Sequence, residues 1–217
     1  MTTSIAELVR ERVEHTPVGA FVHTFELVDS LGSRSAVEVA LHRLTRSGTP
    51  LVPVRRGLYF KGKNTRYGTT RPDPLRVGYE IAHSRGYTSG VGPAGYSAAR
   101  ALDLTTQVPS RHEIAVPGRT PADTSGVHFT SRSGVARSGL RPLEVAVLEI
   151  LREWPRYSEE SWATLRVRVG ELAARGAVDP ATVRRAAHLE RHLAAREYAD
   201  RLLTALTAPA GEGTVER

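Results

Sequence analysis

From Ser33 to Arg66 the sequence gathers eight basic residues, Arg34, Arg43, Arg46, Arg55, Arg56, Lys61, Lys63 and Arg66, against one acid, Glu38. The local net charge of +7 equals that of the whole 217-residue chain, so everything outside this window sums to zero. The apolar residues inside the window set the geometry. Val37, Ala40, Leu41 and Leu44 recur at i, i+3, i+4 and i+7, which is one buried stripe on a helix from Arg34 to Ser47. Ser33 is a natural N-cap and Gly48 a natural stop. At about 100° per residue the opposite face carries Ser35, Val39, His42 and Arg46, with Arg43 at its edge and Arg34 at its start. That face can donate hydrogen bonds to base edges, and Val39 can meet a thymine methyl.

Two short extended runs follow, Leu51 to Arg55 and Leu58 to Lys61, joined at Arg56 and Gly57, where glycine supplies a positive φ. Pro50 and Pro53 confine the first run to a sheet edge. A helix followed by a basic hairpin is the second half of a winged helix-turn-helix. The bland alternative is a solvated amphipathic helix beside an unrelated hairpin. Coincidence of charge, helix and hairpin favours DNA, with Arg34, Ser35, Val39, His42, Arg43, Arg46, Arg55, Arg56, Lys61 and Lys63 as the contacting residues.

The preceding sequence supplies the first half. Ser4 to Glu14 carries Ile5, Leu8, Val9 and Val13 at helical spacing, with Ser4 and Glu7 in capping-box positions. Ala20 to His23 reads as a short strand able to pair with the hairpin. A short helix from Thr24 to Leu31 directs Phe25, Val28 and Leu31 inward, and Gly32 makes the turn. The basic balance, with a pI of about 10.2, calls for a polyanionic partner. Nucleic acid fits better than a membrane, since no apolar run approaches a span and no secretory leader precedes the charge. A chain without cysteine has no disulfides, thiolate zinc sites or cysteine nucleophile, and a cytoplasmic protein is expected.

Residues 64–73, with Gly68 and Pro72, read as a linker between domains 1–70 and 71–210. Beyond it come helices over Pro74 to Arg85 and roughly Pro93 to Leu102, strands His112 to Val116 and Val127 to Ser131, and a strong helix from Leu140 to Trp154. Further helices carry Trp162, Leu165, Val169 and Leu172, then Val183, Leu189, Leu193, Leu202 and Leu206 on one inner side after an Asp179-Pro180 cap. Residues 211–217 read as a frayed tail. The expected fold is α+β: a winged helix-turn-helix, then a larger mixed domain that turns helical.

Several motifs are decoys. Gly90, Gly92 and Gly95 match G-x-G-x-x-G, yet no buried strand precedes them and Pro93 occupies the turn, so a turn with a helix start is expected and no cofactor. His188 and His192 are four apart, but Glu190 lies midway between them and not beside the first, so no metalloprotease motif forms and no metal is expected. No aspartate is followed two residues later by an acid, which argues against a metal-dependent nucleotidyltransferase, and no catalytic constellation can be assigned.

Two separate stretches carry a family resemblance. Gly19 to Val22, Leu31-Gly32, Ala40 to Gly48 and Val54 to Tyr59 resemble the amino-terminal domain of AbiEi antitoxins of type IV toxin–antitoxin systems. Leu102 to Pro109, a helix end followed by a Thr-Gln-Val-Pro link into two strands, resembles the opening of the AbiEi antitoxin domain. Together they cover about residues 4 to 155. The resemblance implies an antitoxin, not an enzyme, that binds double-stranded promoter DNA as an autorepressor and counters a cognate nucleotidyltransferase-like toxin, by direct contact or otherwise. A homodimer on inverted repeats is the matching assembly. Two other classes stand beside it: a stand-alone regulator whose second domain senses a ligand, and an enzyme with its site between the two strands and the helices.

Overall fold

Ser4 opens the first helix as its sequence predicts: its hydroxyl accepts from the Glu7 amide, and the Glu7 carboxylate accepts from the Ser4 amide at 2.9 Å. This is the start of a computed structural model that describes residues 3–124, 126–132 and 134–208. The chain divides into two compact units, Met1–Val77 and Gly78–Arg217.

The first unit runs α1 (Ile5–His15), β1 (Phe21–His23), α2 (Thr24–Leu31), α3 (Arg34–Arg46), β2 (Leu51–Arg55), β3 (Leu58–Lys61), β4 (Asn64–Thr65) and β5 (Gly68–Thr69). Its core is Val9, Val13, Val22, Leu27, Val37, Ala40, Leu41, Leu44 and Leu51, so α1, β1, α2, α3 and β2 each give one face to a shared interior. β3 is the central strand of an antiparallel sheet ordered β1-β3-β2. Edge strand β2 therefore tolerates Pro53, which is exposed, and its register shifts between Pro53 and Arg55. In α2 Leu27 is buried and Val28 and Leu31 pack against the core as expected, while Phe25 is 48 % exposed against the expectation. The helix spans Thr24–Leu31 as expected, and Phe25 packs on the His23 ring, their centres 5.2 Å apart.

Residues 64–73 are only partly a linker, because β4 and β5 form a small hairpin. The division between units falls later, inside α4 (Pro74–His83).

The second unit continues with β6 (Gly92–Pro93), α5 (Gly95–Ala101), β7 (His112–Val116), β8 (Val127–Ser131), α6 (Gly134–Arg137), α7 (Pro142–Glu153), α8 (Trp162–Ala174), α9 (Pro180–Leu189) and α10 (Leu193–Thr207). Its sheet is ordered β6-β7-β8, antiparallel between β6 and β7 and parallel between β7 and β8. Gly92 and Pro93, expected at a helix start, are thus a strand. Residues Val145 to Leu151 of α7 are buried on every side, which makes it the central helix of this unit. Around it lie Ala98, Leu102, Leu165, Val169, Val183 and Leu202, with Trp154 and Trp162 packed edge to face at 5.6 Å.

The last helical stretch is two helices. Glu190 at the break is buried, whereas Leu189 and Leu193 are 60 % and 70 % exposed, so these two leucines do not belong to the inner side expected of them. The tail at 211–217 lies outside the described residues. No described helix is long and apolar enough to cross a membrane.

Candidate nucleic-acid interface

The amphipathic pattern of α3 works as its spacing requires. Val37, Ala40, Leu41 and Leu44 are buried, and the Ser33 hydroxyl accepts from the Ala36 amide. Burying the stripe leaves Ser35, Val39, His42, Arg43 and Arg46 exposed along the other side, with Val39 at 49 %. These residues, with Glu38 and Ser47, form one continuous open face of the helix. Arg34 sits at the helix start, its guanidinium 3.9 Å from the Glu38 carboxylate in a largely exposed pair that contributes little. Among the described residues no carboxylate pairs with Arg43 or Arg46. The last turn of α3 thus presents unneutralised cations at its C-terminal end, where a helix stabilises positive charge.

The β2–β3 hairpin is held beside this helix by its own core residues. Leu51 and Tyr59 pack into the interior that α3 helps to form. Burial pushes the Tyr59 hydroxyl above its ordinary value, and the Glu38 charge adds to the effect. Gly57 takes φ +80° at the tip, and its carbonyl accepts the Thr24 amide at 3.0 Å, tying the turn to the start of α2. Arg56 is exposed at this turn, and Arg55 before it is half-buried.

Lys61 departs from the expectation. It is 8 % exposed, and its ammonium donates to the Val13 carbonyl at 2.5 Å and the Glu14 carbonyl at 3.3 Å. It therefore caps the C-terminal end of α1 and is not free for a phosphate. Lys63, two residues later, is exposed. Arg66, the last cation of the basic window, lies exposed in the β4–β5 turn, its guanidinium 4.6 Å from the centre of the Tyr67 ring. The signal available for it was an Arg-Tyr-Gly turn between polar residues, which has no hydrophobic alternation to reveal a hairpin.

The second unit concentrates its charge differently. Glu149 of α7 accepts from Arg132 at 2.8 Å and from Arg137 of α6, while Glu190 accepts from Arg137 at 2.8 Å and from Arg152. Arg137, Glu149 and Glu190 are all buried. Burial pushes the Glu149 carboxyl up, but the Arg137 and Arg132 charges outweigh it and hold it below the ordinary carboxylate value. Glu113 on β7 goes the other way, raised by burial and then by the nearby Glu149. Arg132, Arg137 and Arg152 are thus paired with Glu149 and Glu190 within the fold.

The decoys resolve in place. A Cβ at Gly90, Gly92 or Gly95 would lie 2.6 Å from the Arg137 carbonyl, 2.5 Å from the Pro142 carbonyl and 2.5 Å from the Glu113 carboxylate. Each of these glycines is therefore packed where a side chain would otherwise stand. The His188 ring meets Asp200 at 2.9 Å, whereas His192 caps α10 by accepting the Ala195 amide, so the two histidines do not share a helix face. Among the described residues no cluster of three or more His, Asp or Glu side chains is arranged to hold a metal.

No family model matches the sequence, and no curated protein does. Among solved structures, the crystal structure of the Rv2827c protein from Mycobacterium tuberculosis aligns with a TM-score of 0.55 at 20% identity, covering 97% of this chain and 80% of that one. At such identity the likeness concerns the fold alone, a mixture of helix and strand along nearly the whole chain.

Proposed function

We propose that the first unit is a winged helix-turn-helix that binds double-stranded DNA, with α3 in the major groove and the β2–β3 hairpin as its wing. The observation that carries this reading is α3 itself, which buries one stripe completely and leaves Ser35, Val39, His42, Arg43 and Arg46 exposed along the other. A helix bearing arginines free of acid partners, followed at once by a basic hairpin, is fitted to a groove lined by phosphates. The resemblance of residues 4–155 to AbiEi proteins supports reading the chain as an autorepressing antitoxin that counters a nucleotidyltransferase-like toxin.

The helix and the hairpin divide the work. A bidentate Arg46 contact to guanine is worth about 1–3 kcal/mol of discrimination, whereas Arg56 at the turn meets backbone and positions the protein. Binding of the full chain to its own upstream duplex and to a scrambled duplex, at several salt concentrations, tests both parts. With about six phosphates contacted the log–log slope is near −5. Arg46→Ala flattens the preference between duplexes, and Arg56→Ala weakens both equally and lowers the slope by about one. Binding insensitive to salt removes the DNA reading. Loss of preference in Arg56→Ala alone makes the hairpin the reader. For the antitoxin part, co-expression with the adjacent gene product relieves growth arrest; DNA binding without relief leaves a stand-alone regulator.

A further inference from the structure

Between β3 and α4 the chain makes its second hairpin, which the reading above leaves without a task. Strands of two residues bury no apolar surface and have no stability of their own. This hairpin is instead fastened by side chains. Thr69 donates to the Asn64 side-chain carbonyl at 2.8 Å, Thr65 donates to the Gly68 carbonyl at 2.8 Å, and the Tyr67 amide donates to the Thr65 hydroxyl at 3.2 Å. At its base Lys63 and Thr70 exchange two bonds of 2.8 and 2.9 Å. Gly62 lies so close to Thr70 that a Cβ would come within 2.4 Å of its carbonyl oxygen.

One bond sets where the hairpin stands. The Asn64 side-chain amide donates to the Gly48 carbonyl at 3.1 Å, just beyond the end of α3. The hairpin is therefore tethered to the end of the helix that carries Arg43 and Arg46. Its tip presents Tyr67, which at 84 % exposure is the most exposed large hydrophobic side chain among the described residues, with the Arg66 guanidinium over its ring. From Val39 through Pro72 the sequence holds no acid at all. Among the described residues no carboxylate pairs with Lys63 or Arg66. An exposed ring with a stacked cation, on a fastened support and in acid-free surroundings, matches a polyanion that offers both phosphates and flat apolar sugar surfaces.

We propose that the β4–β5 hairpin is a second DNA-contacting arm, in which Lys63 and Arg66 take backbone phosphates beside the end of α3 and the Tyr67 ring lies against deoxyribose. This rests on the DNA-binding reading of the first unit. It adds contacts that position the protein without reading sequence, and it makes Asn64 a positioning residue.

The test is fluorescence anisotropy of the full chain on a labelled duplex from upstream of its own gene and on a scrambled duplex, across a salt series, with thermal melting of every variant. Arg66→Ala weakens binding to both duplexes roughly fivefold to tenfold and lowers the log–log slope by about 0.9, while Arg66→Lys keeps the slope. Tyr67→Ala weakens both duplexes with the slope unchanged, since the ring carries no charge. Neither exposed substitution shifts the melting temperature. Asn64→Ala reproduces the Arg66→Ala loss in binding. If Arg66→Ala and Tyr67→Ala bind both duplexes as the unaltered chain does, while Arg46→Ala loses its preference, the arm is wrong and the α3 reading stands. If the unaltered chain binds neither duplex in a salt-dependent way, the DNA reading falls and the arm with it. Tighter, salt-dependent binding to single-stranded RNA of the same sequence than to either duplex would also overturn the proposal.

Discussion

At the scale of single residues, Lys61 illustrates how one side chain of the basic window serves the fold. Removing an ammonium from water is costly unless hydrogen bonds replace the lost solvation. Two carbonyls at the end of α1 do so, at the place where the helix dipole is negative. Lys61→Met therefore destabilises the first unit by about 1–3 kcal/mol, the range for a charge-assisted hydrogen bond and the buried acceptors left behind. The same variant leaves the slope of DNA binding against salt unchanged. A slope lowered by one with unaltered melting would return Lys61 to the phosphate contacts. In sequence Lys61 and Lys63 look alike; in the fold Lys61 ends β3 buried against the last carbonyls of α1, whereas Lys63 lies exposed past the strand. The exposed set on α3 was legible because periodicity alone decides which side of an isolated amphipathic helix faces inward. Phe25 was not: α2 starts at Thr24 as expected, yet Leu27 takes the buried position and Phe25 lies against the His23 ring.

At the scale of elements, the internal ion pairs of the second unit hold α6, α7 and the break between α9 and α10 together. No glycine or proline announces that break. Glu190 is drawn inward by Arg137 and Arg152, and the chain bends so that it can reach them. A helix boundary set by a distant partner is invisible to local propensity. The β4–β5 hairpin escaped for a related reason, because its strands are held by threonine and asparagine side chains and carry no alternating pattern. The buried network also gives these elements an acid limit. The Glu149 carboxyl is held below its ordinary value of 4.5 in the folded state. The folded form thus binds fewer protons than the unfolded one, so this stability is complete above the ordinary value and is lost as pH falls through the folded value. Urea midpoints followed by circular dichroism should fall on acidification below about pH 4.5. Glu149→Gln, which leaves buried arginine charge uncompensated, lowers stability by about 3–5 kcal/mol at neutral pH and flattens that acid limb. An acid limb equally steep in the variant would assign the sensitivity to other carboxylates.

At the scale of the whole molecule, the division into two units was legible from charge and motif, but its position was not. The Gly68 and Pro72 signals sit in and after a small hairpin, whereas the contact boundary lies within α4, where Gly78 admits the Ile114 and Val127 side chains of the second unit's sheet. Each unit has its own apolar core. The packed pair of Trp154 and Trp162 then acquires an optical meaning. They are the chain's two tryptophans, and both belong to the second unit. Under selective tryptophan excitation the second unit emits and the first is dark, while far-ultraviolet dichroism follows the helices of both. Denaturation recorded through the two channels should yield separate midpoints if the cores melt independently, and coincident curves would mean that they melt as one.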